Sequence, residues 1–146
     1  MSGLVARLRA LSPRHYALLA EATAALAVAA FVVAAIPFRR IAAFSGRSPP
    51  RGGPEGAAQR DLIRQVRWAV SAGARRAPWR AKCFEQGLAA QWMLRRRGVP
   101  VSLHYGVAQE EGRLIAHVWG RTGSIDVIGC ENKGDFSELA RFPASD

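Results

Sequence analysis

Hydrophobic and polar positions divide this chain into three regimes. From Ala17 to Phe38 the sequence ALLAEATAALAVAAFVVAAIPF is almost wholly apolar, with Glu21 near its start and Pro37, Arg39 and Arg40 closing it. Residues 4–15 before it are basic and broken at Pro13. Between residues 57 and 71 the period is helical: Leu62, Ile63, Val66, Ala69 and Val70 fall on one side, and Arg60, Arg64 and Arg67 on the other. Gly73 is read as the stop of that helix. A second helix is expected over Cys83–Arg97, with Phe84, Gly87, Leu88, Gln91 and Leu94 along one stripe and a stop built from three arginines, Gly98 and Pro100. After Pro100 the period drops to two. VSLHYGVA, LIAHVWG and SIDVIG read as three strands of an antiparallel meander, joined through the polar turn 109–112 and through Gly120–Gly123. Helices followed by a small antiparallel sheet make the expected class α+β.

The apolar stretch has three readings. Its uninterrupted part, Ala22–Ile36, falls short of the ~20 residues a membrane span needs. A helix buried against the domain or a partner is favoured over a membrane-associated helix, and that over a cleaved signal. Ser45–Gly56, rich in proline and glycine, is a linker. The expected organisation is an N-terminal helical segment (1–44), the linker (45–56) and a compact domain (57–146).

Composition narrows the chemistry. At 146 residues and 49% hydrophobic content there is material for one core. Two cysteines exclude both a disulfide scaffold and a four-thiolate zinc site, three histidines leave little for any metal centre, and a reducing cytoplasm is expected. Charge is uneven: residues 1–97 carry 17 basic and 4 acidic side chains, residues 98–146 carry 4 and 7. Such a field favours anionic partners. Zinc-finger spacing, aromatic ribonucleoprotein motifs and KH-type loops are missing, so nucleic acid is not expected.

Cys83 falls at a predicted helix start with Arg80 and Lys82 close by, the setting in which a thiol ionises readily. By itself a lone cysteine is more often a small core residue. His117 lies mid-strand in AHVWG. A hairpin symmetric about Arg121-Thr122 would set His117 opposite Asp126, close enough for the carboxylate to orient the ring. A slip of one residue would move Asp126 to the other face. His104 is expected at a strand edge or in solvent, and Cys130 as an incidental thiol.

Residues 78–108 (PWRAKCFEQGLAAQWMLRRRGVPVSLHYGVA), AHVWG at 116–120, FSELARF at 136–142 and the helical stretch ending IPFRR resemble the lasso-peptide leader peptidases, bacterial maturation proteases with a small transglutaminase-like fold. The resemblance implies hydrolysis of the bond between leader and core in a precursor peptide, exposing the core N-terminus. It implies Cys83 as nucleophile and His117 as general base, without metal or cofactor. For the third member, many relatives place an aspartate where this chain reads Ile128-Gly129-Cys130-Glu131; Asp126 is preferred here over Glu131. The implied partners are a separate leader-binding recognition protein and an asparagine-synthetase-like macrocyclase, for either of which the first apolar helix offers a docking face. The rivals are an amidase or acyltransferase using the same thiol, and a non-enzymatic basic module.

Overall fold

The computed structural model describes residues 2–45 and 53–142; most of the expected linker, residues 46–52, lies outside the described residues. Five helices precede the sheet: α1 (Ser2–Arg9), α2 (Pro13–Ala35), α3 (Phe38–Ser45), α4 (Gly56–Arg76) and α5 (Cys83–Arg95). Four strands follow: β1 (Ser102–Glu110), β2 (Arg113–Thr122), β3 (Ile125–Ile128) and β4 (Ser137–Phe142), with a short 3-10 turn at Lys133–Asp135 before β4. The sheet is antiparallel in the order β3-β2-β1-β4. The expected α+β architecture is therefore what forms, with one strand more than the meander predicted.

Local chemistry sets the helix ends. Pro13 opens α2 at a position where its missing N–H costs nothing, and Pro37 ends it. The helix thus starts four residues before the apolar run. Ala77, extended before Pro78, closes α4 at Arg76. Gly73 does not stop α4. It is buried inside the helix, where an added Cβ would sit 3.1 Å from Leu26 Cδ1, so it lets α4 and α2 approach closely. α5 ends two residues earlier than expected: Gly98, at φ +79°, reverses the chain while Val99 N–H donates to Leu94 O.

α2, α4 and α5 pack against one another, and α5 lies on the sheet. Leu26, Ile63, Leu88, Met93, Leu94 and Leu103 are fully buried between them. Ala22, Leu26 and Ala29 of α2 are completely inaccessible, so this helix is part of the same core. Gln91 Nε2 donates to Val101 O at 2.9 Å and ties α5 to the segment entering β1.

Glu21 anchors the outer end of α2 to the end of α5. Its carboxylate accepts from Arg97 Nη2 at 2.6 Å and Arg97 Nη1 at 2.9 Å, and Arg96 Nη1 lies 3.1 Å away. Hydrogen bonding to Arg97, reinforced by the two positive charges, holds the Glu21 carboxyl below its ordinary 4.5. A depressed carboxylate stabilises the fold above that ordinary value and ceases to do so as pH falls through the lowered one. Glu21→Gln should cost about 1 kcal/mol at pH 7, and the deficit should shrink as pH falls from above the ordinary carboxylate value through the lowered one, read by thermal melts across an acid pH series.

Candidate active site

Cys83 is the first residue of α5, half-buried, with a free thiol packed beside the core. Lys82 precedes it in extended conformation and provides no side-chain cap. The first helical bond is Gln86 N–H to Lys82 O, 2.9 Å, so the N–H groups of Cys83, Phe84 and Glu85 lie ahead of the ladder. Such groups are the usual donors to a developing oxyanion. Two side chains of the first turn reach back to the segment before the cysteine. Arg80 Nε lies 3.2 Å from the buried carboxylate of Glu85, and Gln86 Nε2 donates to Ala81 O at 3.0 Å. Phe84 also joins an aromatic cluster in which Phe38 of α3 meets Phe84, Tyr105 and Phe142, with ring centroids 5.4–5.8 Å apart.

His117 sits in β2, opposite Gly106 of β1. Its Nε2 lies 2.6 Å from Gly129 O. A carbonyl only accepts, so Nε2 carries the proton and the neutral ring keeps its lone pair on Nδ1. The ring stacks on Trp119 (5.9 Å) and leans on Phe136 (5.0 Å), and His104 stacks on the same indole at 5.7 Å. Gly106 makes room for this row, since a Cβ there would come within 2.9 Å of the Trp119 ring. His104 is buried rather than at a solvent edge, and its Nδ1 is paired with Glu138 of β4.

The pairing of His117 with Asp126 is corrected by the observed register. β2 continues to Thr122, and the chain turns at Gly123-Ser124, with Gly123 at φ +57°. Thr122 therefore meets Ile125, and Asp126 meets Arg121. Asp126 stays on the His117 face but four residues away, ~13 Å along the strand. There it accepts from Lys133 Nζ at 2.5 Å and Arg121 Nε at 3.0 Å. Lys133, then Arg121, holds its carboxyl below the ordinary carboxylate value. Asp126 and Glu131 both line a small cavity of about 140 Å³ with Arg67 and Cys130. Cys130 donates to Gly120 O at 3.3 Å; burial, and next the charge of Asp126, push its thiol up. The group that orients His117 is thus the Gly129 carbonyl, within the stretch where the resemblance implied an acid. Asp126→Asn should leave peptide cleavage within about threefold of wild type, whereas a triad acid lost to the amide typically costs ~10⁴; kcat on a precursor peptide decides.

Cys83 and His117 are not brought together. Among the described residues no hydrogen bond joins them. Gly87, one turn into α5 on the Cys83 side, approaches Val118 and Leu103: a Cβ there would sit 3.3 Å from each side chain. Strand alternation turns the neighbouring His117 to the opposite face, with Trp119. Neither the positive-φ carbonyl at Gly129 nor the His104–Glu138 pair was foreseeable from residue types, because the first is backbone and the second spans two strands. A family model described as the transglutaminase-like superfamily matches residues 22–141. No curated protein and no solved structure matches the chain.

Proposed function

Because the chain belongs to the transglutaminase-like superfamily, whose members are often cysteine peptidases or acyltransferases, we propose that it is a cysteine peptidase that removes the leader from a lasso-peptide precursor. The observation that carries this reading is Cys83 itself: a free thiol on the first residue of α5, beside uncapped backbone N–H groups. The quoted motifs around Cys83 and His117 supply the substrate class.

In the proposed reaction the Cys83 thiolate attacks the carbonyl carbon of the leader's last residue. A C–S bond forms, and the Cys83 N–H and its neighbours receive the oxyanion. The C–N bond then breaks as protonated His117 Nδ1 gives its proton to the leaving amine, the new core N-terminus. Water, deprotonated by the same nitrogen, hydrolyses the leader thioester. Asp126 takes no part in this scheme. The scheme requires thiol and imidazole to meet once the precursor is bound. The chain would act in the cytoplasm, with a leader-binding protein presenting the precursor and an asparagine-synthetase-like macrocyclase consuming the freed amine.

The separation of thiol and imidazole favours one other reading, a binding module of the same fold in which Cys83 only packs. Incubating the protein, with its leader-binding partner, with precursor peptide separates the possibilities by mass spectrometry. Two fragments summing to precursor plus water support the peptidase. A modified intact chain indicates an amidase or acyltransferase, and unchanged precursor indicates the module.

A further inference from the structure

α2 satisfies the core with one stripe only. Leu18, Ala22, Leu26 and Ala29 are buried, while Val28 is 54% and Phe31 69% exposed. Ala20, Ala24, Ala27 and Ala34 accompany them on the outward side, and Glu21, committed to Arg96 and Arg97, is the helix's only acidic residue. A groove of about 260 Å³ between α2 and α5 extends this surface with Trp92 and Met93. α2 is long and apolar enough to cross a membrane, yet only 22% of its apolar window is buried. Its inner stripe is locked against α4 and α5, which fits a helix lying along an apolar medium rather than through one.

Charge complementarity identifies that medium. Arg9 and Arg14 flank one end of α2, Arg39 and Arg40 the other; all four are exposed, and among the described residues none takes part in an ion pair. Over the ~34 Å of a helix this long, that puts cations at both ends of an uncharged apolar face. A protein partner would need acidic groups at both ends of a matching groove, whereas an anionic bilayer supplies headgroup charge and an apolar interior everywhere. We propose that the outer face of α2 seats the protein on the surface of an anionic lipid bilayer, with Phe31 and Val28 entering the acyl boundary and the four arginines among the headgroups. The inference goes beyond the peptidase reading and does not depend on it.

Co-sedimentation of the full chain with large vesicles tests it. Binding to phosphatidylglycerol–phosphatidylcholine vesicles should exceed binding to pure phosphatidylcholine at least tenfold and weaken with added salt. Val28→Ser with Phe31→Ser should lower the partition coefficient at least tenfold, and Arg39→Gln with Arg40→Gln about fivefold per arginine. All four positions are exposed, so circular dichroism should show unchanged folding. No binding to anionic vesicles overturns the proposal. So does binding that the serine variant retains in full, since surface charge alone would then be responsible. A concentration-dependent dimer, abolished by the serine variant and accompanied by no vesicle binding, assigns the face to a second copy and likewise overturns it.

Discussion

Cys83→Ala is expected to abolish leader removal, lowering the rate by at least ~10³-fold and to background in a fragment assay. The thiol supplies the bond-forming atom. Cys130 cannot substitute: it sits against Gly120 O with its thiol pushed up by burial and by Asp126. Cys130→Ala should therefore leave cleavage unchanged. Stability should separate the two roles open to Cys83. Its side chain is half-buried and small, so alanine should cost no more than about 1 kcal/mol. A variant that stays folded and inert marks chemistry. One that cleaves normally returns the residue to packing and favours the binding-module reading.

His117→Ala is expected to reduce kcat by ~10²–10⁴-fold with little change in KM, the range for loss of a positioned general acid–base. The structure makes the test more specific. Gly129 O fixes the proton on Nε2, so the working nitrogen is Nδ1. Asn, whose side-chain atoms overlay Nδ1 but cannot accept a proton, should be as inactive as Ala. Loss of the ring also removes contacts with Trp119 and Phe136, worth about 0.5–1.5 kcal/mol each. Both variants must therefore be assayed well below their melting temperatures. Retained kcat in a folded His117→Ala protein would remove the base from the scheme.

Much of this fold was legible because α4, α5 and β1–β3 carry their hydrophobic residues at the period of the element they form. β4 was not. Ser137, Glu138 and Leu139 are all exposed, so an edge strand paired through its backbone shows no alternation to read. Gly73 was legible as special but not in what way, since a stop and a close helix approach both call for glycine. The site failed at register. Gly120 and Gly123 both offer a turn, and a symmetric loop around Arg121-Thr122 is as good locally as the observed reversal at Gly123-Ser124. Only the wider packing of β3, with a bulge between its pairings to Gly120 and Arg121, chooses between them. That choice carries Asp126 away from His117. The positions of Cys83 at a helix start and His117 on the central strand β2 follow directly from pattern, whereas the relation between them depends on which face of β2 meets α5, and periodicity does not specify that.

The acyl-enzyme is the most direct witness to thiol catalysis. Wild-type protein mixed with precursor and its leader-binding partner should be quenched in acid within the first turnover and weighed intact. A mass increase equal to the leader minus water, mapped to Cys83 and discharged by hydroxylamine, is the predicted result. Release of core peptide with no adduct on Cys83, and at the same rate from Cys83→Ala, would contradict the account.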